Sequence, residues 1–200
     1  MKNILIAISL FVLLSCGSDH ELTKSVFKPD PNFPELPQYS EWGYNTFGAY
    51  YGREPFVSND KDVPLNVTNH DNLTSFDFKG QLGEYSYYST GYSFLMTITF
   101  ADFHPETYED LLDLHKTTFD LTDSQFTIQI KDEDGLIHQA EIIEGEFEVK
   151  RAQTLFVDEQ KQQVILSGVF NFKAVVDGEA VTVSEGRFDV GVSSLNFFKY

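Results

Sequence analysis

The chain has 200 residues, and its 31 acidic residues against 14 lysines and arginines give a formal net charge of −17. Proteins bind nucleic acids by placing Lys and Arg against phosphates, so this charge excludes nucleic acid as the expected partner. Hydrophobic residues make up 42% of the chain and aromatic residues 15%. Such a composition is too apolar for a disordered chain, and the length suits one domain.

The N-terminus has the pattern of an exported bacterial protein. Lys2 precedes an apolar stretch from Ile4 to Leu14, which is too short to span a bilayer because a spanning helix needs about 20 residues. We therefore predict a signal peptide over residues 1–15. It ends in Leu13-Leu14-Ser15 followed by Cys16, which resembles the lipobox of bacterial lipoproteins.

The resemblance to a lipobox implies that Cys16 carries the lipid and becomes the first residue of the mature chain. Cys16 is the only cysteine, so no disulfide can form within one molecule. Residues 17–21 partly resemble the acidic signal that sends Bacteroidota lipoproteins to the outer face of the outer membrane. We therefore expect a cell-envelope protein attached to the outer membrane through this lipid, facing either the periplasm or the cell surface.

Residues 16–40 are expected to form the lipidated N-terminus and a tether. Pro31, Pro34 and Pro37 lie in this segment among few apolar residues, a composition that favours an extended, semi-rigid spacer. A single β-rich domain is then predicted over residues 41–200, beginning near Glu41.

Most of the domain alternates apolar and polar residues with the period of two that is typical of half-buried strands. The clearest segments are Tyr92 to Phe100, Phe126 to Lys131 and Val164 to Val176. Asp177-Gly178 after the last of these predicts a two-residue hairpin turn. The return strand changes phase between Val183 and Phe188, which predicts a β-bulge at Gly186.

One segment, about residues 105–115, has a helical pattern. Pro105 suits a first turn, and Tyr108, Leu111, Leu112 and His115 recur at helical spacing. A single short helix cannot supply the crossovers of a parallel sheet. We therefore predict a mainly β fold, an antiparallel β-sandwich or a partly open barrel built of hairpins, with this helix closing one end.

The sequence contains no recognisable catalytic, metal-binding or cofactor-binding motif. Zinc sites in the form His-Glu-x-x-His, the Gly-x-Ser-x-Gly elbow of hydrolases and glycine-rich phosphate loops are all missing from it. Asp132, Asp134, Gly135 and Glu141 superficially resemble a calcium loop, but the spacing omits a ligand position. Since Asp and Gly favour turns, we interpret Asp132 to Gly135 as a hairpin turn. We accordingly predict no catalytic residue, metal or cofactor.

Aromatic residues are concentrated before and within the first strands. Neighbouring tyrosines on a strand point to opposite faces, so one member of each pair can lie outside the core. Exposed rings beside carboxylates would suit a sugar-binding platform, whereas buried rings would fill the core and rim of the domain. The candidate ligand-binding residues are Trp42, Tyr44, Tyr50, Tyr51, Tyr87 and Tyr88.

Two segments resemble motifs of a family of small Bacteroidota lipoproteins. The first runs from Asn45-Thr46-Phe47-Gly48 to Gly52-Arg53-Glu54-Pro55-Phe56-Val57, and the second is Gly186-Arg187-Phe188-Asp189-Val190. The resemblance implies an envelope location and a β-rich domain, but no activity. The residues themselves read as structural, with Arg187 expected to pair with a carboxylate at the domain edge.

Three functions are compatible with these features. The first is a non-catalytic, lipid-anchored domain that binds a glycan, a peptide or another envelope protein. The second is a lipocalin-like carrier, which would need an empty apolar interior. The third is a hydrolase with paired carboxylates, which would need two of them facing each other across a cleft. The oligomeric state stays open.

Overall fold

The computed structural model describes residues 23–58, 63–86, 89–157 and 160–200, and the chain there is mainly β. Cys16 and the predicted signal peptide over residues 1–15 lie outside these residues. Eleven strands and one 3₁₀ helix are described. The strands are β1 (Thr46–Tyr51), β2 (Glu54–Val57), β3 (Leu65–His70), β4 (Leu73–Ser86), β5 (Ser89–Phe100), β6 (Thr117–Asp120), β7 (Phe126–Lys131), β8 (Ile137–Val157), β9 (Gln160–Val176), β10 (Glu179–Val192) and β11 (Phe197–Lys199).

Eight of these strands pair into a ring of antiparallel neighbours. The order is β1, β2, β4, β5, β7, β8, β9, β10 and back to β1. Outside the ring, β3 pairs with β4, β11 lies parallel to β3, and β6 pairs with β8. The predicted mainly β architecture of antiparallel hairpins is confirmed, with β11 adding a parallel pair.

Phenylalanine rings fill the centre of the ring. Phe47 stacks on Phe78 with centroids 4.9 Å apart, and Phe147 stacks on Phe188 at 5.4 Å. The inward positions of the predicted strands join them, so that β7 alternates strictly between buried Phe126, Ile128 and Ile130 and exposed neighbours. Apolar burial of this extent is the main stabilising contribution to the fold.

The turn and the bulge of the β9–β10 hairpin are where the sequence places them. Asp177 and Gly178 have φ values of +52° and +83° and join Val176 to Glu179. The register shifts between Val183 and Gly186, and Glu185 is the residue with positive φ, at +54°. A Cβ on Gly186 would lie 2.5 Å from the Phe170 carbonyl oxygen. Gly186 is therefore required for close approach rather than for backbone conformation.

The predicted helix is shorter and tighter than expected. A 3₁₀ helix covers Tyr108–Leu114 instead of about 105–115. A 3₁₀ helix has three residues per turn, so side chains three apart share one face, and Leu111 and Leu114 are accordingly buried together. At its start, one carboxylate oxygen of Asp110 accepts hydrogen bonds from the backbone N–H groups of Glu106 and Thr107, both at 2.8 Å.

Ordered contacts begin earlier than the predicted start near Glu41. Residues 24–45, here called the strap, lie across the outer face of the sheet. Val26 N donates to Tyr44 O at 2.8 Å and Asp30 N to Leu36 O at 2.9 Å, which folds part of the strap back on itself. Leu36 is fully buried. The prolines here shape a docked turn, because the sheet offers the apolar surface that an isolated spacer lacks.

The strap explains why parts of β9 and β10 are buried on both faces. Their inward side chains pack in the core, while their outward side chains are covered by the strap. Arg187 is one of these outward residues, and it is 7% exposed. Its guanidinium pairs with Asp30 of the strap at 2.8 Å and with Glu185 at 2.9 Å, so the expected ion pair is present but largely buried.

Candidate functional site

A buried carboxylate holds the end of the strap on the sheet. Asp189 on β10 is 1% exposed, and it accepts backbone N–H groups from Trp42 at 3.1 Å, Gly43 at 2.7 Å and Tyr44 at 3.1 Å. The hydroxyls of Ser167, at 2.9 Å, and of Ser40 also donate to it. Five donors to a single carboxylate fix the backbone of this loop firmly.

Trp42 projects from this fixed loop and is 73% exposed. Beside it, Arg151 pairs with Glu41 at 2.9 Å, Gln153 donates to the Glu41 carbonyl at 3.1 Å, and Tyr39 donates to the Glu41 carboxylate at 3.0 Å. The hydrogen bond from Arg151 lowers the pKa of Glu41. Trp42 is thus a large apolar side chain on a rigid backbone, surrounded by polar groups that already have partners.

The predicted tyrosines do not form one platform with Trp42. Tyr44 lies in the strap, with the Lys28 ammonium 4.5 Å from the centre of its ring. Tyr50 is on the outer face of β1, where its hydroxyl donates to Glu35 at 2.9 Å and its ring meets Phe33 edge-on. The pKa of Tyr50 is raised, mainly because its phenol group is partly buried.

Tyr51 faces the interior rather than the surface. Its ring packs edge-on against Phe94 with centroids 5.0 Å apart, and burial raises its pKa. Tyr87 and Tyr88 lie outside the described residues. The structure therefore places Trp42 and Tyr44 in the strap and separates Tyr50 and Tyr51 across the two faces of β1.

A cleft of about 500 Å³ lies between the outer faces of β4 and β5 and the turn that joins β7 to β8. Lys79, Leu95 and Lys131 line it as direct cross-strand neighbours on three adjacent strands. Gln81 and Ser93 form the next row, and the turn Asp132 to Gly135 closes one side.

Lys79 and Lys131 are two of the five described lysines that form no ion pair, the others being Lys24, Lys28 and Lys116. No described carboxylate lies within 4.0 Å of either ammonium group, whereas Lys150, Lys161 and Lys173 each form an ion pair. No sequence motif marks Lys79 and Lys131 as parts of one site. The alternation of Phe76 and Phe78 with Asp77 and Lys79 is the signal that could have placed Lys79 on the outer face.

The acidic turn beside the cleft is held by its own hydrogen bonds. Asp132 accepts the backbone N–H of Leu136 at 2.9 Å, and its other oxygen lies 2.9 Å from His138 Nε2. His138 Nδ1 lies 2.5 Å from Asp177, in the β9–β10 turn. The bond with Asp132 raises the pKa of His138, and it lowers the pKa of Asp132.

Potential metal ligands do not cluster in the part of the chain that the structure describes. No group of three or more His, Cys, Asp or Glu residues there is placed to hold a metal ion. Asp132 and Asp134 lie in a hairpin turn with Gly135 at a φ of +80°, as expected for a β-turn built from these residue types.

The comparisons with known proteins add no relative. No family model, curated protein or solved structure matches this chain. Separately, the described residues contain no helix with the length and apolar character needed to cross a membrane.

Proposed function

We propose that this chain is an outer-membrane lipoprotein whose β domain binds an acidic glycan in the cleft between Lys79 and Lys131, without catalysing a reaction. The observation that carries the proposal is the pair of lysines without carboxylate partners among the described residues, at one cleft of a protein with net charge −17. The envelope location rests on the Leu13-Leu14-Ser15-Cys16 pattern.

The lining of the cleft matches the chemistry of an acidic sugar. Two strand spacings place the backbones of Lys79 and Lys131 about 10 Å apart, so both flexible ammonium groups can reach one carboxylate of a bound uronic acid. Gln81 and Ser93 supply neutral hydrogen-bonding groups, and the carboxylates of Glu133 and Asp134 can accept from hydroxyls. The volume of about 500 Å³ is within the range of small-molecule sites, about 300–1,000 Å³.

Two further observations favour binding over the alternative functions. The phenylalanines stacked at the centre of the ring occupy the space that an apolar cargo would need. Asp189, the described carboxylate most deeply buried, is fully used in holding the strap. These arrangements support a packed scaffold that presents a surface site.

Ligand binding is tested by titrating the protein with uronic-acid oligosaccharides and with neutral oligosaccharides of the same length. We expect heat of binding only with the acidic series. Lys79→Ala and Lys131→Ala should each weaken binding roughly tenfold, as expected for loss of a hydrogen bond to a charged group. Lys173→Ala, which removes the same charge from β9, is the matched control and should bind normally. Equal binding of both series, or equal loss in the control, contradicts the acidic-glycan assignment.

Membrane attachment is tested separately by labelling cells with a fatty acid analogue. The wild-type protein should take up the label and the Cys16→Ala variant should not. Label that persists in Cys16→Ala, or that never appears in the wild type, would contradict the lipoprotein assignment without affecting the test of the cleft.

A further inference from the structure

The lipid anchor would hold the domain close to the bilayer. The first described hydrogen bonds of the strap involve Lys24, whose carbonyl accepts from the Asn45 side chain at 3.5 Å, and Val26, which donates to Tyr44. Lys24 lies eight positions after Cys16. A fully extended chain of that length spans at most about 28 Å, which is about the diameter of a small domain.

The end of the domain at which the chain enters carries exposed apolar side chains. Trp42 is 73% exposed, Leu195 66% and Val26 39%. A series of hydrogen bonds connects the segments that carry these side chains. Val26 N donates to Tyr44 O, and the side-chain oxygen of the next residue, Asn45, accepts a hydrogen bond from Gly191 N. Asn196, next to Leu195, then donates to the Gly191 carbonyl at 3.0 Å.

The charges at this end also suit a membrane surface. Lys24, Val26 and Lys28 alternate outward along the strap, and neither lysine forms an ion pair with a described carboxylate, Lys28 instead contacting Tyr44. Glu41, the acidic neighbour of Trp42, is paired with Arg151. The described charges next to Val26 and Trp42 are therefore two lysines without a carboxylate partner and one glutamate neutralised by Arg151.

Taking these observations together, we propose that the anchored domain docks on the bilayer with Trp42, Val26 and Leu195 in the headgroup interface. Trp is the residue that prefers this interface, because its ring is amphipathic. The hydrogen bonds from this loop to Asp189 already fix the backbone that carries Trp42, so docking requires no further ordering of the loop. The proposal rests on the lipid attachment of the proposed function.

Trp42 is the only tryptophan in the chain, so its fluorescence reports directly on this end. Residues 16–200, which include every described residue, can be coupled through the single cysteine to a maleimide phospholipid in vesicles of phosphatidylethanolamine and phosphatidylglycerol. Coupling makes the test independent of lipidation in the cell. We expect the emission of Trp42 to shift to shorter wavelength and to be quenched by phospholipids brominated near the headgroup.

A relocated tryptophan provides the matched control. In the double variant Trp42→Phe and Ile137→Trp, the fluorophore sits at a position that is 65% exposed in the native protein, at the far end of β8. Arg151, which contacts the strap, lies fourteen positions after Ile137 on β8. That separation corresponds to about 46 Å along an extended strand. This variant should show neither shift nor quenching when coupled to the same vesicles.

Two results would overturn the docking proposal. One is Trp42 emission that is unchanged and unquenched on vesicles that demonstrably carry the coupled protein. The other is a shift of Trp42 emission by free oligosaccharides but not by lipid, which would assign this end to a glycan instead. Failure of fatty acid labelling at Cys16 would leave a positive coupling result intact but remove the natural anchor, so the two proposals fail in distinguishable ways.

Discussion

Asp189 shows how one residue of a short sequence motif can hold a surface segment in place. It lies within Gly186-Arg187-Phe188-Asp189-Val190, and its side chain points outward from the ring rather than into the core. Three consecutive N–H groups of the strap converge on its carboxylate. A neutral side chain could not satisfy so many donors, so the identity of this residue is dictated by the strap and not by β10.

We expect Asp189→Ala to destabilise the protein by about 3 kcal/mol or more, because it leaves several buried donors without an acceptor. The free energy of unfolding from urea denaturation measures this loss. Glu133→Ala, at an exposed position in the β7–β8 turn, should change stability by less than about 0.5 kcal/mol. A loss at Asp189 no larger than that of the control would show that the strap is not held by this carboxylate.

At the scale of elements, the strap is the part of the structure that least resembles an independent unit. It has little regular structure beyond the bridge between Pro29 and Pro37. Leu36, Pro37 and Asn45 are its buried residues. The Pro37 ring occupies the space above Gly48 on β1, where a Cβ would lie 2.4 Å from Pro37 Cδ. Its stability therefore comes from its contacts with the sheet, both the packing of buried side chains and the hydrogen bonds to Asp189.

Leu36→Ala should accordingly cost about 2–5 kcal/mol, the usual range for a fully buried leucine. Leu195→Ala, at a site that is 66% exposed, is the matched control and should be nearly neutral. Both values come from denaturant unfolding. If residues 16–40 acted as a free spacer, the two substitutions would be equally harmless.

The pair of hairpin turns joined by His138 should make stability depend on pH. The folded-state pKa of His138 is raised, so its contribution is fully present below the unfolded value of about 6.5 and is lost as pH rises through the folded pKa. Asp132 has a lowered pKa, so its contribution is present above its unfolded value and is lost as pH falls through the folded one. At pH values between the folded-state pKa of Asp132 and that of His138, Asp132 is negatively charged and His138 is positively charged.

Melting temperatures between pH 5 and pH 9 test this expectation. The wild-type protein should lose stability relative to His138→Gln as the pH rises above about 6.5, since the variant has no titrating group at this position. Parallel melting curves for the two proteins over this range would show that the contacts of His138 with Asp132 and Asp177 contribute nothing that depends on its charge.

The local sequence pattern was sufficient to predict the strands, but it was not sufficient to predict the strap or the cleft. The alternation of Phe126, Ile128 and Ile130 and the turn at Asp177-Gly178 are local signals, and both describe the structure directly. The burial of Leu36 depends on Gly48 and β1, and the juxtaposition of Lys79 with Lys131 depends on the order of three strands. Neither relation is visible along the chain, because period and turn chemistry carry no information about distant pairing.

The helix shows the same limit on a smaller scale. Spacings of three and four both fit Tyr108, Leu111, Leu112 and His115, so the sequence did not separate an α-helix from a 3₁₀ helix. The backbone hydrogen bonds from Asp110 N to Thr107 O at 3.2 Å and from His115 N to Leu112 O at 3.1 Å span three residues, as in a 3₁₀ helix. His115 leaves the helix to accept a hydrogen bond from Ala152 N at 3.1 Å, a tertiary contact that overrides local preference.

For the whole molecule, the net charge of −17 is distributed unevenly in a way that bears on both proposals. Ion pairs join lysines to carboxylates along the sheet, at Lys150, Lys161, Lys173 and Lys199. The lysines left without such partners among the described residues include those of the cleft and those of the strap. A bilayer with anionic headgroups would repel most of this surface, which favours contact through the strap end.

Such an excess of negative charge should also make the folded protein more stable at higher salt. Repulsion among like charges destabilises the compact state, and raising the ionic strength from about 0.01 M to 1 M shortens the screening length from about 30 Å to 3 Å. The exposed ion pairs weaken too, but each contributes less than about 1 kcal/mol. We therefore expect the melting temperature to rise with sodium chloride.

Two comparisons make the salt prediction specific to charge. Glucose at matched osmolality should not reproduce the steep rise at low concentration, because it does not screen. Adding salt at a pH near the sequence isoelectric point of about 4.5 should have little effect, since the net charge is then small. A melting temperature that falls with sodium chloride at pH 7 would mean that the ion pairs dominate over the net repulsion, and the excess charge would then have to be neutralised locally within the fold.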